Sequence, residues 1–183
     1  MSNNSNVSSK FQGLGKMILA PIAVLLVAAL LFILGKPNTL ASNGIPWISA
    51  ASSAVFENLS LIIAIAISIG IAEENNGVAG LSATVGHLVI TKVALSFNEK
   101  INMFILPGII VGILAGLLYN KYKAIKVPDF LGFFGGKRFV PIITSLICLI
   151  LGILFGFIWP PIQNLVMNFG NMAAAVGTIG VFF

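Results

Sequence analysis

Few side chains in this sequence could do chemistry, and their spacing limits what that chemistry is. His87 is the only histidine and Cys148 the only cysteine. No set of histidines or cysteines can therefore gather a metal, and no nucleophile–base pair is spelled out. Glu73 and Glu74 are the one adjacent carboxylate pair, but neighbours on a turn point apart. The setting Glu73-Glu74-Asn75-Asn76-Gly77 reads as a solvated turn rather than as paired acid–base groups. Cys148 lies inside an apolar run with nothing nearby to stabilise a thiolate, so a small packed side chain is expected. There is no phosphate-cradling loop of the Walker type. No cofactor and no metal are expected. What remains is the run Gly132-Phe-Phe-Gly-Gly-Lys-Arg-Phe139, in which Gly135, Gly136, Lys137 and Arg138 form a basic, glycine-rich turn directly ahead of a long apolar stretch. A helix amino terminus is itself positive, so cations beside it are unfavourable by a few tenths to about 1 kcal/mol. Two of them call for a compensating partner, and Asp129, Glu73 and Glu74 are the acids within reach of such a loop.

The elements that position this turn follow from composition. Of 183 residues, 58% are hydrophobic and only 8% are charged, with mean hydropathy +1.06. A soluble domain carries about 25% charged residues. No globular core of this size could hide so much apolar surface, so the chain is expected to be an all-α integral membrane protein. The net charge of +5 is carried by cations that sit between apolar spans. That pattern fits membrane topology and anionic headgroups, and nucleic acid is not an expected partner.

Five spans are legible. Residues 1–16 form a polar amino-terminal arm, with 1–9 expected to be disordered, and Lys10 and Lys16 precede the apolar run Met17–Leu34. At 18 residues this run exceeds a signal-peptide core of about 7–15 and reads as a retained helix. The second span covers about Ser53–Ala72, with Glu57 near its outer end. The third, about Val78–Leu95, contains Gly80, Ser82, Thr84, Gly86, His87 and Lys92, and is expected to face other helices. The fourth, about Met103–Tyr119, carries Gly108, Gly112 and Gly116 in a small-xxx-small register, with Tyr119 and Tyr122 placed in an interfacial belt. The fifth, about Phe139–Ile158, is expected to stop at Trp159-Pro160-Pro161. The segment from Gln163 to Phe183 would then be an amphipathic or partial sixth helix. With a cytoplasmic amino terminus, Lys10, Lys16, Lys121, Lys123, Lys126, Lys137 and Arg138 fall inside and Lys36 and Lys100 outside, with Lys92 near the outer end of the third span, a balance that supports this orientation under the positive-inside rule.

The wording of several segments adds a resemblance. Leu19-Ala-Pro-Ile-Ala-Val-Leu25, Phe56-Glu-Asn-Leu59, Asn98-Glu-Lys-Ile-Asn-Met103, Val127-Pro-Asp-Phe-Leu131, Phe133–Ile142 and Trp159-Pro-Pro161 resemble the membrane domain (enzyme IIC) of the glucose-family sugar permeases of the phosphoenolpyruvate-dependent phosphotransferase system. The likeness leans toward the N-acetylglucosamine-specific members, with glucose or another hexose as the alternative. It implies sugar uptake by group translocation across the bacterial cytoplasmic membrane, with the amino terminus in the cytoplasm. It implies a sugar substrate, a phosphocysteine enzyme IIB domain, a second copy in a homodimer, and membrane lipid as partners. The phosphoacceptor cysteine of that system belongs to the separate IIB domain, so Cys148 is not its counterpart. The principal sugar-contacting residues of these permeases lie in the carboxyl-terminal half, whose Gly-Ile-Thr-Glu-Pro type motif is not found here. The resemblance therefore places residues 17–183 as the amino-terminal, scaffold-forming part of the domain, or as an inactive truncated membrane scaffold. Lys137 and Arg138 are read first as topology anchors at a cytoplasmic helix start; with the phosphorylated partner or the phosphosugar as a second candidate counter-charge, Gly135, Gly136, Lys137 and Arg138 are also a candidate loop for coupling transport to phosphorylation. His87 stands where an aromatic is the norm. It is expected to be a packed or water-lined replacement, with a proton-sensitive role as the alternative.

Overall fold

The computed structural model describes residues 19, 21–37, 44–126 and 128–180, of which 129–131 and 169–180 are described by backbone alone. The polar arm with Lys10 and Lys16, the start of the first span, Val127 and residues 181–183 lie outside the described residues. Every regular element among those described is helical: α1 (Pro21–Gly35), α2 (Pro46–Glu57), α3 (Leu59–Ile71), α4 (Gly77–Phe97), α5 (Leu106–Tyr122), two short 3₁₀ turns η1 (Asp129–Phe134) and η2 (Gly136–Arg138), and α6 (Phe139–Gly180).

In lipid every backbone polar group must be satisfied within its own segment, which is why runs this apolar become helices. Two helices are long and apolar enough to cross a bilayer, α4 and the stretch Gly136–Asn168 leading through α6. The bent pair α2 and α3 is a third candidate, and α1 and α5 are shorter apolar helices.

The bundle is built from two pairs of helices, each pair running side by side in one direction. In the first, glycines of α5 lie against α3. A Cβ added to Gly108 would strike the Ser60 carbonyl, one on Gly112 would come within 2.8 Å of Ile67, and one on Gly116 within 2.6 Å of Ile71. The expected packing face of α5 is thus spent on α3 within the same chain. In the second pair, α4 meets α6 through Gly86 against Cys148, Gly152 against Val93 and Gly156 against Phe97. Ala64, Ala83, Ile90, Val111, Ala115 and Cys148 form the fully buried centre where the pairs meet. Cys148 is the packed side chain its sequence setting suggested, and α4 does face other helices.

Two expectations are corrected. The second span begins at Pro46, not near Ser53, and breaks by 52° after Glu57. Pro46 suits the first helical turn, where its missing N–H costs nothing. Asn58 Nδ2 donates to the Ala54 carbonyl at 2.8 Å, the acceptor that its own N–H would use in an unbroken helix. Glu57 therefore lies at the middle of the bent pair rather than at its outer end. Secondly, Pro160 and Pro161 do not stop α6, which continues through them to Gly180 as one helix of 42 residues. The fifth span and the separate sixth segment are one element. Two lost backbone hydrogen bonds cost less in an apolar setting than the many that a chain break would free. Side chains also pin this stretch: Trp159 Nε1 donates to the Asn102 carbonyl at 3.2 Å, and Gln163 Nε2 to the Lys100 carbonyl at 2.9 Å. At about 1.5 Å per residue the helix exceeds a hydrocarbon core of about 30 Å, so its last turns run beyond the bilayer or along it.

Candidate functional site: an ionic latch at one end of the bundle

The α3–α4 turn, the end of α5 and the loop ahead of α6 meet at one end of the bundle. Their junction is assembled from neutral side chains first. Asn120 Nδ2 donates to the Ile71 carbonyl at 3.0 Å, and its Oδ1 accepts from Glu73 N at 2.9 Å. One side chain thus satisfies the free carboxyl end of α3 and holds the turn. Asn76 Oδ1 caps α4 by accepting from Val78 N at 2.9 Å. Tyr119, expected in an interfacial belt, is instead fully buried, and its hydroxyl donates to Glu74 Oε2 at 3.1 Å.

On this frame the charges interlock. Lys123 Nζ donates to Glu73 Oε2 at 2.8 Å and to Glu74 Oε1 at 3.1 Å, and Lys137 Nζ donates to Glu74 Oε2 at 2.5 Å. The turn is solvated, as the sequence suggested, with Glu73 and Glu74 both exposed, but the two carboxylates do not point apart, because Lys123 draws both to itself. The hydrogen bond from Lys137, then that from Lys123, then that from Tyr119, hold the Glu74 carboxyl down at about 2. Glu73 and Glu74 together push the Lys123 ammonium above its usual range. Groups so firmly ionised bind and orient; they do not shuttle protons at neutral pH.

The loop itself is shaped by backbone. Gly136 has φ +64°, a left-handed conformation that other residues adopt only with strain, and its N–H donates to the Ile125 carbonyl at 3.0 Å. Gly135 N donates to the Gly132 carbonyl at 3.2 Å. Lys137 then reaches Glu74, one of the acids anticipated. Arg138 takes a different partner: its guanidinium lies 4.9 Å from the Phe133 ring centroid, and Nη1 donates to the Phe133 carbonyl at 3.4 Å. Of Asp129, the third acid anticipated, the side chain lies outside the described residues.

His87 lies apart from this latch. Its Nε2 is 2.9 Å from Ser60 Oγ, which also accepts from Gly108 N at 3.0 Å, so one serine hydroxyl joins α3, α4 and α5. Gly108 N is one of the unpaired donors at the start of α5, and Ser60 satisfies it from a neighbouring helix. His87 Nδ1 is buried without a partner among the described residues. The histidine is a packed, cross-helix group, as its place in the span suggested. Sequence reasoning missed Ser60, Tyr119 and Asn120. A polar residue at the Glu73 level of α5, one step after a tyrosine, was the only available signal. At the other end of the bundle a cavity of about 710 Å³ is bounded by Met103, Phe104, Leu106, Trp159 and Val166. Asn102 and Gln163 also line it, so the lining is mainly rather than wholly apolar.

The family model described as Phosphotransferase system, EIIC matches residues 15–183. The chain belongs to this family. It is 44% identical over 175 residues to the N-acetylglucosamine-specific EIICBA component of Escherichia coli (strain K12), covering 96% of the chain and 26% of that relative. It is 42% identical over 172 residues to the N-acetylglucosamine-specific EIICB component of Bacillus subtilis (strain 168), covering 94% and 37%. It is also 40% identical over 185 residues to the glucosamine-specific EIICBA component of the same Bacillus strain, covering 94% and 28%. The EIIC chain thus spans between 26% and 37% of the length of these relatives. The all-α membrane architecture expected from composition is the one observed.

Proposed function

We propose that this EIIC chain is part of a permease that takes up N-acetylglucosamine by group translocation through the phosphoenolpyruvate-dependent phosphotransferase system. The observation that carries this reading is the family match over 15–183, joined to close relatives named for that sugar. Residues 1–16 are its polar cytoplasmic arm and 17–183 the amino-terminal part of the membrane domain. Its seat is the bacterial cytoplasmic membrane. The amino terminus faces the cytoplasm, because that orientation puts the cation-rich Glu74 end inside. The sugar is contacted mainly by the remainder of the membrane domain, and a phosphocysteine IIB domain phosphorylates it. A second copy completes a homodimer through faces other than the α5 glycines, which α3 already occupies.

Within this reading Gly135, Gly136, Lys137 and Arg138 are the cytoplasmic coupling loop. The support is electrostatic: a loop tied to the ends of three helices through Glu74 responds to any shift among them, and its cations suit a phosphorylated partner. The alternative substrate is glucosamine or another hexose, favoured by the glucosamine-named relative. Membranes carrying the complete reading frame, in cells without their own permeases for these sugars, test both points. Phosphoenolpyruvate-dependent phosphorylation of labelled N-acetylglucosamine should be inhibited best by unlabelled N-acetylglucosamine. Better inhibition by glucosamine or glucose would favour the alternative. Replacing Lys137 and Arg138 together by Gln should depress phosphorylation-linked uptake at normal expression, and unchanged uptake would remove the coupling role.

A further inference from the structure

The latched loop presents apolar rings that the latch does not use. Phe133 is 72% exposed and Phe134 44%, with ring centroids 5.4 Å apart at a right angle. Two bare phenyl rings on a loop this polar are costly in water. Their depth is fixed independently of their exposure. The loop is bound to the end of α5 by Gly136 N on the Ile125 carbonyl and to the α3–α4 turn by Lys137 on Glu74. At that same level Tyr122 ends α5 and Phe139 begins α6, their rings 6.1 Å apart, an aromatic pair of the kind that marks a membrane–water interface. Among the described side chains, the charges left over at this end of the bundle are positive. Lys123 and Lys137 are taken up by Glu73 and Glu74, whereas Lys121 lies 5.2 Å from the Tyr122 ring, Arg138 lies over Phe133, and Lys126 is exposed.

We propose that Phe133 and Phe134, together with Arg138 over Phe133 and with Lys121 and Lys126 at the nearby end of α5, form a lipid anchor that seats this loop on anionic phospholipid headgroups. The rings enter the headgroup layer as an apolar wedge, and the three cations meet lipid phosphate. A cation held against an aromatic face lies at the boundary where phosphate and acyl chain adjoin. An anionic leaflet is the occupant that satisfies the rings and the cations together. The anchor requires neither sugar nor phosphotransfer, so it stands or falls apart from the coupling role of the same loop.

The test uses the whole chain in vesicles, with Phe133→Cys carrying an environment-sensitive fluorophore. Cys148 is buried, and the unsubstituted chain provides the blank. Brominated phosphatidylglycerol, present as a minor component in phosphatidylcholine, should quench the probe far more effectively than brominated phosphatidylcholine at the same fraction. The fraction needed for half-quenching should rise about fivefold for each of Lys121→Gln, Lys126→Gln and Arg138→Gln, and high salt should weaken the preference. Equal quenching by the two lipids overturns the proposal. So does a probe that aqueous iodide quenches and lipid bromine does not. A probe that leaves water only on addition of a soluble phosphocysteine domain overturns it too, and marks the face as a protein-docking surface. All of these side chains are exposed, so an unchanged helical circular dichroism spectrum is expected alongside each result.

Discussion

Glu74 is the residue through which the loop, α4 and α5 communicate, and its ionisation sets when they do. Its carboxyl is held at about 2 against an ordinary value of 4.5. A depressed folded value means that the stabilisation from this contact is complete above about pH 4.5 and is lost as pH falls from there toward 2. Glu74→Gln should reproduce the acid state at neutral pH. Trypsin should then cut after Lys137 and Arg138 a few-fold faster, with little change in global thermal stability, because a half-exposed pair is screened by solvent. Cleavage as slow as in the unsubstituted chain would show that Glu74 does not restrain the loop. Gly136 makes a second demand. Gly136→Ala forces a Cβ into the left-handed region at a cost of about 1–2 kcal/mol, whereas Gly132→Ala, with open space around it, should be tolerated. Denaturant titration of the two variants in detergent separates them.

At the scale of elements, close helix approach rests on small residues. Gly112→Val sets a side chain where even a Cβ would lie 2.8 Å from Ile67 and 2.9 Å from the Ala64 carbonyl. Overpacking of this kind costs typically about 1–3 kcal/mol. Gly77→Ala, with nothing within 4 Å, should leave stability close to its starting value. Sodium dodecyl sulfate titration of helical signal checks both, and equal stability of the two variants would contradict the tight α3–α5 seam. The continuity of α6 gives a further expectation. Since the helix already passes through Pro160 and Pro161, replacing both by Ala should leave helical content unchanged. A rise in helicity would show that the prolines do end the helix.

For the whole molecule, much was legible in the sequence because long apolar runs and basic flanks are strong, redundant signals. The membrane class, the α5 glycine face and the packed state of Cys148 all came from residue type and spacing. The Lys137–Glu74 pairing was half legible: charge balance named the acids but could not choose between them. Tyr119 was misplaced because a tyrosine at a helix end looks the same whether it lies in headgroups or under a carboxylate. The break at Asn58 and the passage through Pro160-Pro161 were missed for a related reason. Local propensity says where a backbone hydrogen bond is lost, but not whether a side chain makes up for it or whether apolar surroundings make breaking the helix costlier still. The family, too, was legible, carried by loop wording rather than by periodicity.

If this chain is part of a group-translocating permease, as proposed, the sugar is phosphorylated as it crosses, and the chemical form of the accumulated sugar tests this most directly. Cells carrying the complete reading frame should be given radiolabelled N-acetylglucosamine, and the label extracted after brief uptake should be separated into free and phosphorylated sugar. The expected result is label recovered almost entirely as sugar phosphate, and no uptake in cells lacking the general phosphotransfer proteins. Free sugar accumulating at the same rate in cells without those proteins would contradict the account.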